Sequence, residues 1–265
     1  MSSNSLQFGE YIDFTVKRHF GIITLNRLHR SNAFDIRQFE NLKKAVEYCQ
    51  IDKKLRGLIL TNNGTSFSTG VDLGAIDGSD HNAVKYLEST AATICRLIFY
   101  GKPAICAING RTMGEGVVFS TCCDYRIATK QSTFQMPEIF SGIFTGTGCL
   151  VFFSKIIGIP WTKKMCMLAE KIDSSQALEI GLIDQIVSNK EDLISNALDK
   201  AKFLFTKNQT VLNAIKLCSN HLACESYQNA LNIERYGSSW FEYKDKEKYI
   251  EDFKRKLKYY NLKGN

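Results

Sequence analysis

Residues 103–108 form an unbroken apolar run, Pro-Ala-Ile-Cys-Ala-Ile. It stops at the turn Asn109-Gly110-Arg111-Thr112-Met113-Gly114-Glu115-Gly116 and resumes as an apolar segment at 117–123. A buried strand, a turn that favours glycine, and then a helix is a demanding local instruction. The chain must reverse sharply, and the reversal points backbone N–H groups outward, where a ligand can meet them. Pro137-Glu138 and a second glycine turn (Gly142, Gly146, Gly148) close the stretch. If Glu138 folds back over the first turn, an anion-stabilising donor and a carboxylate base face one another. The same pattern comes earlier. An apolar run at 55–61 is stopped by Asn62-Asn63-Gly64, and Phe67-Ser68-Thr69-Gly70-Val71-Asp72-Leu73 follows with a Gly- and Asp-rich loop at 74–80.

The rest of the chain alternates in the same way. β-branched runs at 12–16 and 21–25 predict two strands joined by a polar turn. Asp35, with Gln38 three residues on, predicts an N-cap, and Ile36, Phe39, Leu42, Val46 and Cys49 then keep helical spacing. Helices are expected at 83–99, 154–169 and 174–180, the last capped by Asp173 and ended by Gly181. Short strands are expected at 125–128, 132–135 and 182–187. Further helices are expected at 193–205, 211–222, 226–240 and 246–259. Strands alternating with helices and then a run of helices predict an α/β core over 1–200 with a helical C-terminal region over 201–265. No internal repeat of 20–50 residues interrupts that reading.

Composition excludes several classes. With 44% hydrophobic and 23% charged residues the chain has the material for an ordinary globular core. No apolar run reaches the ~20 residues of a membrane helix. The N-terminus carries no secretory pattern and the last residues match no organelle address, so a cytoplasmic location is expected. Nine cysteines, most of them in apolar runs and none in a C-x-x-C pair, read as reduced core thiols, and four scattered histidines give no metal-ligand spacing. The net charge of +7 is partly carried by residues 244–263, where interleaved acids make a solvated helix face rather than a nucleic-acid surface.

Taken together, these motifs resemble the crotonase superfamily of enoyl-CoA hydratase/isomerase proteins. Ile23-Thr24-Leu25-Asn26-Arg27 with Ser31-Asn32-Ala33 is similar to that family's first strand and coenzyme A loop. Residues 67–73 resemble the first oxyanion loop and residues 108–116 the second. Pro137-Glu138-Ile139 with Gly142, Gly146 and Gly148 resembles the catalytic carboxylate segment. The resemblance spans about residues 10–260. It implies a crotonase-like spiral of ββα units, C-terminal helices that form a homotrimer or a dimer of trimers, an acyl-CoA thioester as partner, and no cofactor beyond the coenzyme A of the substrate. It further implies that the backbone N–H groups of Val71 and Glu115 receive the thioester oxygen and that Glu138 is catalytic. Arg27, Arg30, Ala33, Ser68, Gly70, Asp72, Leu73, Gly114 and Val118 are the residues expected around the substrate. Arg27 and Arg30 are candidates for the CoA phosphates or plain surface residues, and Asp72 is a loop-stabilising or CoA-proximal residue.

One departure divides the family's chemistries. Hydratases of this kind carry a second glutamate three residues after the second oxyanion donor, and here that position is Val118. Two carboxylates activate a water, whereas moving a double bond needs one shuttling base. The pattern therefore resembles Δ3,Δ2-enoyl-CoA isomerases. A hydratase using Glu115 as second acid, or a non-catalytic binding protein, are the alternatives. Glu115 itself has two readings: a carboxylate at a helix N-terminus facing solvent, or a group reaching into the pocket.

Overall fold

The computed structural model describes residues 6–75, 81–144 and 147–224. Strands β1 (Leu6–Gln7), β2 (Ile12–Lys17) and β3 (Phe20–Leu25) lead through a 3-10 turn (Leu28–Arg30) into α1 (Ile36–Ile51). A unit of two strands and a helix then recurs: β4 (Gly57–Asn62), β5 (Ser66–Ser68), α2 (His81–Phe99); β6 (Ala104–Ile108), β7 (Arg111–Met113), α3 (Glu115–Thr121); β8 (Tyr125–Thr129), β9 (Thr133–Gln135), a 3-10 turn (Glu138–Ser141) and α4 (Cys149–Ile156). The chain continues through α5 (Gly158–Met167), β10 (Ile172–Asp173), α6 (Ser174–Glu179), β11 (Gln185–Val187), α7 (Lys190–Phe205) and α8 (Gln209–Cys224).

The first strand of each unit joins one sheet and the second strand joins another. Among the described residues the orders are β1-β2-β3-β4-β6-β8-β11 and β10-β9-β7-β5. Pairing is parallel from β3 to β11 and from β5 to β9, as expected when each turn of a spiral stacks on the last. The expected α/β spiral of ββα units is what the chain forms. The glycine turn of residues 109–116 contains a strand, β7, that a turn-rich sequence conceals.

Both faces of the larger sheet are covered, which is why β4 and β6 read as continuous apolar runs. Leu58, Leu60, Cys106 and Ile108 face a core shared with α1 to α4. Ile59, Ile105, Ala107 and Ile127 pack on Leu193, Ala197 and Ala201 of α7. Where the chain leaves one sheet for the other, a ladder of asparagines satisfies the backbone of the bend. Asn32 Nδ2 donates to Ser66 O (2.8 Å), Asn62 Nδ2 donates to Asn109 O (3.1 Å), and Asn109 N donates to Asn62 Oδ1 (3.1 Å). Thr129 Oγ1 continues it by donating to Asn109 Oδ1.

Two expectations are corrected. The helix expected over 154–169 is two helices, because Gly158 adopts φ +72° and breaks the ladder between α4 and α5. Its true start is Cys149, behind Gly148 in the left-handed conformation. The N-caps at Asp35 and Asp173 form as expected, each accepting from the N–H three residues on. The helices expected at 226–240 and 246–259 lie outside the described residues.

Helix α8 is pinned by one lysine. Lys216 Nζ donates to Ile98 O (2.8 Å), Lys102 O (3.1 Å) and Asp124 Oδ2 (2.7 Å), and its side chain is 6% exposed. Asp124 also accepts from Ala104 N, so the pair ties α8 to α2 and β6. Lys216→Ala removes the charge partner of a carboxylate that burial already destabilises in its ionised form. Because about a third of the Asp124 side chain meets solvent, we expect a loss of about 1–2 kcal/mol in a urea or thermal unfolding measurement.

Candidate active site

The two glycine turns meet, and the carboxylate lies against their junction. A Cβ on Gly70 would stand 3.1 Å from Met113 O and 3.4 Å from both Gly114 Cα and Glu115 N. A Cβ on Gly114 would stand 2.5 Å from Glu138 Oε1 and 3.6 Å from Gly70 Cα. Gly70 (φ +81°) and Gly114 (φ +51°, ψ −124°) hold conformations in which a side chain is strained. Close approach and positive φ together explain why both turns carry glycine.

Backbone geometry directs the amides. Phe34 N donates to Gly70 O and Asp72 N donates to Phe34 O, both at 2.8 Å. Val71, between them, turns its own N–H to the opposite side. Glu115 is the first residue of α3, and the first helical bonds are donated by Val117 and Val118 to Gly114 O, so its N–H projects from the helix end. Glu138 opens the 3-10 turn behind Pro137. Although the residue as a whole is only half-buried, its Oε2 is closed off from solvent and has no hydrogen-bond partner among the described residues. Burial pushes its pKa up to about 7. A carboxylate poised there is half ionised near neutrality and exchanges protons readily in either direction.

That raised pKa has a stability cost with a definite sign. A carboxyl whose folded pKa lies above its ordinary value of 4.5 contributes favourably below pH 4.5, and the contribution is lost as pH rises toward about 7. Glu138→Gln is therefore expected to be more heat-stable than the parent at pH 8, by an amount on the order of 2–3 kcal/mol. The difference should vanish near pH 4 in paired thermal melts.

The other expected site residues divide. Arg30 is solvent-exposed, with Nε 3.6 Å from Asp72 Oδ2. Arg27, in contrast, is buried, its guanidinium donating to Asp72 Oδ2 (2.8 Å) and Ala33 O (3.0 Å) and pairing with Asp35 Oδ2 (3.0 Å). That burial corrects the expectation of a plain surface residue, and the group is held by two carboxylates and a carbonyl. Ser68 is also turned inward. Its Oγ donates to Asn32 O and accepts from Gly70 N, so it shapes the first turn. Ala33 is buried and Leu73 half-buried beside the same loop, and Val118 is fully buried in the core.

Glu115 does not face solvent, as one of its two readings supposed. It is 8% exposed. Cys95, raised first by its hydrogen bond with Cys122 and by burial, and Cys122, raised first by burial, both also feel the charge of Glu115. A cavity of about 250 Å³ lined by Phe99, Cys122, Val151 and Phe152 opens at the far end of α3, one helix length from the glycine junction. The asparagine ladder is the feature that reading for chemistry missed. Its signal was an Asn placed before the glycine of each bend, at Asn62-Asn63-Gly64 and Asn109-Gly110.

The geometry is that of a ββα spiral in which two glycine turns meet beside one carboxylate, Glu138. Comparison with known proteins identifies the family. The profile of the Enoyl-CoA hydratase/isomerase family matches residues 16–261, and the chain belongs to that family. It is 27% identical over 227 residues to the crotonyl-CoA hydratase of Syntrophomonas wolfei, covering 85% of this chain and 87% of that protein. It is 28% identical over 230 residues to human ethylmalonyl-CoA decarboxylase, covering 83% of this chain and 74% of that one. The crystal structure of an enoyl-CoA hydratase from Bacillus halodurans superposes with a TM-score of 0.83 over 91% of this chain and 99% of that one, at 24% identity. Among the described residues no helix is long and apolar enough to cross a membrane, and no group of His, Cys, Asp or Glu could hold a metal ion.

Proposed function

We propose that the protein is an enoyl-CoA isomerase that moves a double bond from C3 to C2 of an acyl-CoA thioester. The observation that carries this reading is the carboxylate of Glu138, its pKa pushed up to about 7, beside the Gly70–Gly114 junction. In the proposed cycle Glu138 takes a proton from C2. The electron pair flows into the thioester carbonyl, and the N–H groups of Val71 and Glu115 stabilise the oxygen, each worth on the order of 3 kcal/mol. Glu138 then returns the proton to C4, leaving the conjugated 2-enoyl thioester. Arg30, exposed at the rim, is the candidate for a CoA phosphate. Val118 supports isomerisation because a valine cannot hold or activate the water that hydration requires.

A second reading rests on Glu115. Its carboxylate is buried, and relatives named for hydratase and decarboxylase activity share about a quarter of the sequence. In that reading Glu115 is the second acid of a hydratase. Two substrates separate the readings. Turnover of trans-3-hexenoyl-CoA to the conjugated thioester, with crotonyl-CoA left unhydrated, supports the isomerase. Formation of 3-hydroxybutyryl-CoA from crotonyl-CoA, lost in Glu115→Gln, supports the hydratase. A homotrimer or dimer of trimers is part of the same proposal and is read by sedimentation.

A further inference from the structure

Arg27 was a candidate for the ligand, and its burial asks what a guanidinium with two carboxylate partners is doing beside the first glycine turn. Its Nη1 holds Asp72 at 2.8 Å and its Nη2 holds Asp35 at 3.0 Å, with side-chain exposures of 7%, 9% and 22% for Arg27, Asp72 and Asp35. Asp72 directly follows Val71. Its N–H bonds Phe34 O, while Gly70, on the other side of Val71, accepts from Phe34 N. The peptide that presents the Val71 N–H is thus clamped by the Phe34 bridge on its inner edge. Asp72, at its C-terminal end, is held by a desolvated charge-assisted hydrogen bond. The loop segment that supplies Phe34 is tied to the same guanidinium through Ala33 O, at 3.0 Å. One side chain therefore contacts both sides of the bridge.

We propose that the Arg27–Asp72 ion pair is a positioning device that sets the direction of the Val71 N–H toward the thioester oxygen. This rests on the reading of Val71 as an oxyanion donor. Arg27 and Asp72 touch no reacting atom. Their action is on the angle and rigidity of the donor, and small errors there are costly because the donor must meet the oxygen as charge develops. The Asp35 arm of the same guanidinium ends at the N-cap of α1, where Asp35 Oδ1 accepts from Gln38 N, and supplies an internal control.

Asp72→Asn keeps the shape and an acceptor but removes the charge. Asp35→Asn removes the other charge while retaining a good N-cap residue. Both variants are compared with the parent by thermal unfolding, by kcat and KM on trans-3-hexenoyl-CoA, and by the carbonyl stretching frequency of a bound, non-isomerisable saturated acyl-CoA. We expect Asp72→Asn to lower kcat about 10–100-fold, with KM within about threefold. The bound carbonyl frequency should move back toward its free value. Asp35→Asn should lose comparable thermal stability with kcat and carbonyl frequency unchanged. Equal kcat losses in the two variants, or an unshifted carbonyl in folded Asp72→Asn, would overturn the proposal. If Asp72→Asn does not fold, Arg27→Lys, which keeps the charge but not the two-armed reach, is read in its place. An unchanged carbonyl frequency in it counts against positioning. A parent protein that binds the thioester without shifting its carbonyl at all refutes the oxyanion reading itself, a result distinct from failure of the ion pair.

Discussion

Glu138→Gln is expected to reduce isomerisation of trans-3-hexenoyl-CoA by about 10²–10⁴-fold while leaving thioester binding nearly intact. Glutamine preserves the volume and one carbonyl oxygen of the side chain but cannot accept and return a proton at neutral pH. The loss falls on kcat because the proton moves only in the transition state. The pH profile of the parent carries the same information. With burial holding Glu138 at about 7, kcat/KM should rise with pH and level off above that value, since the free base is the active form. The residual rate of Glu138→Gln should lack that limb. Wild-type activity in the variant would remove the base from the mechanism.

The second large effect is expected at Gly114, a residue with no chemistry of its own. Gly114→Ala must place a methyl group 2.5 Å from Glu138 Oε1, in a backbone conformation of φ +51° and ψ −124°. The conformation alone costs on the order of 1–3 kcal/mol. The carboxylate must also move, and displacement by about an ångström at a reacting group can cost about 10²-fold in rate. The same residue carries the carbonyl on which α3 begins, accepting from Val117 and Val118, so the Glu115 donor shifts with it. We expect kcat to fall at least 10²-fold in a protein that still shows a cooperative melt. Gly70→Ala should be milder: its nearest neighbour is Met113 O at 3.1 Å, and the methyl does not meet the base. Equal activity in Gly114→Ala and the parent would mean that Glu138 does not work from this position.

Much of the fold was legible because local signals and the global pattern agree. The caps at Asp35 and Asp173 and the glycine stops each follow from the physics of a single helix end. The central strands β3, β4 and β6 of the larger sheet were visible as apolar runs because both faces are covered. Strands β1, β5, β7 and β10 were not, since two or three residues carry no period, and their pairing is decided by neighbours far along the chain. The break at Gly158 was missed because its flanks remain apolar and helix-like. At the site, the meeting of the two glycine turns with Glu138 was legible in outline, because glycine placement encodes a backbone demand. The partnering of charges was not. Arg27 looks in sequence like any exposed loop arginine, and only the return of residues 71–72 to the bridge at Phe34 shows that it is buried between Asp35 and Asp72.

The central claim is that one carboxylate carries one proton from C2 to C4 within a dry pocket. Trans-3-hexenoyl-CoA bearing deuterium at C2 tests it directly when converted in ordinary water. Because Glu138 Oε2 is closed off from solvent, mass spectrometry of the 2-enoyl product at low conversion should find part of the label at C4. Glu138→Gln should yield almost no product. A 3-hydroxyacyl thioester as the first product, or turnover that persists in Glu138→Gln, would contradict the account.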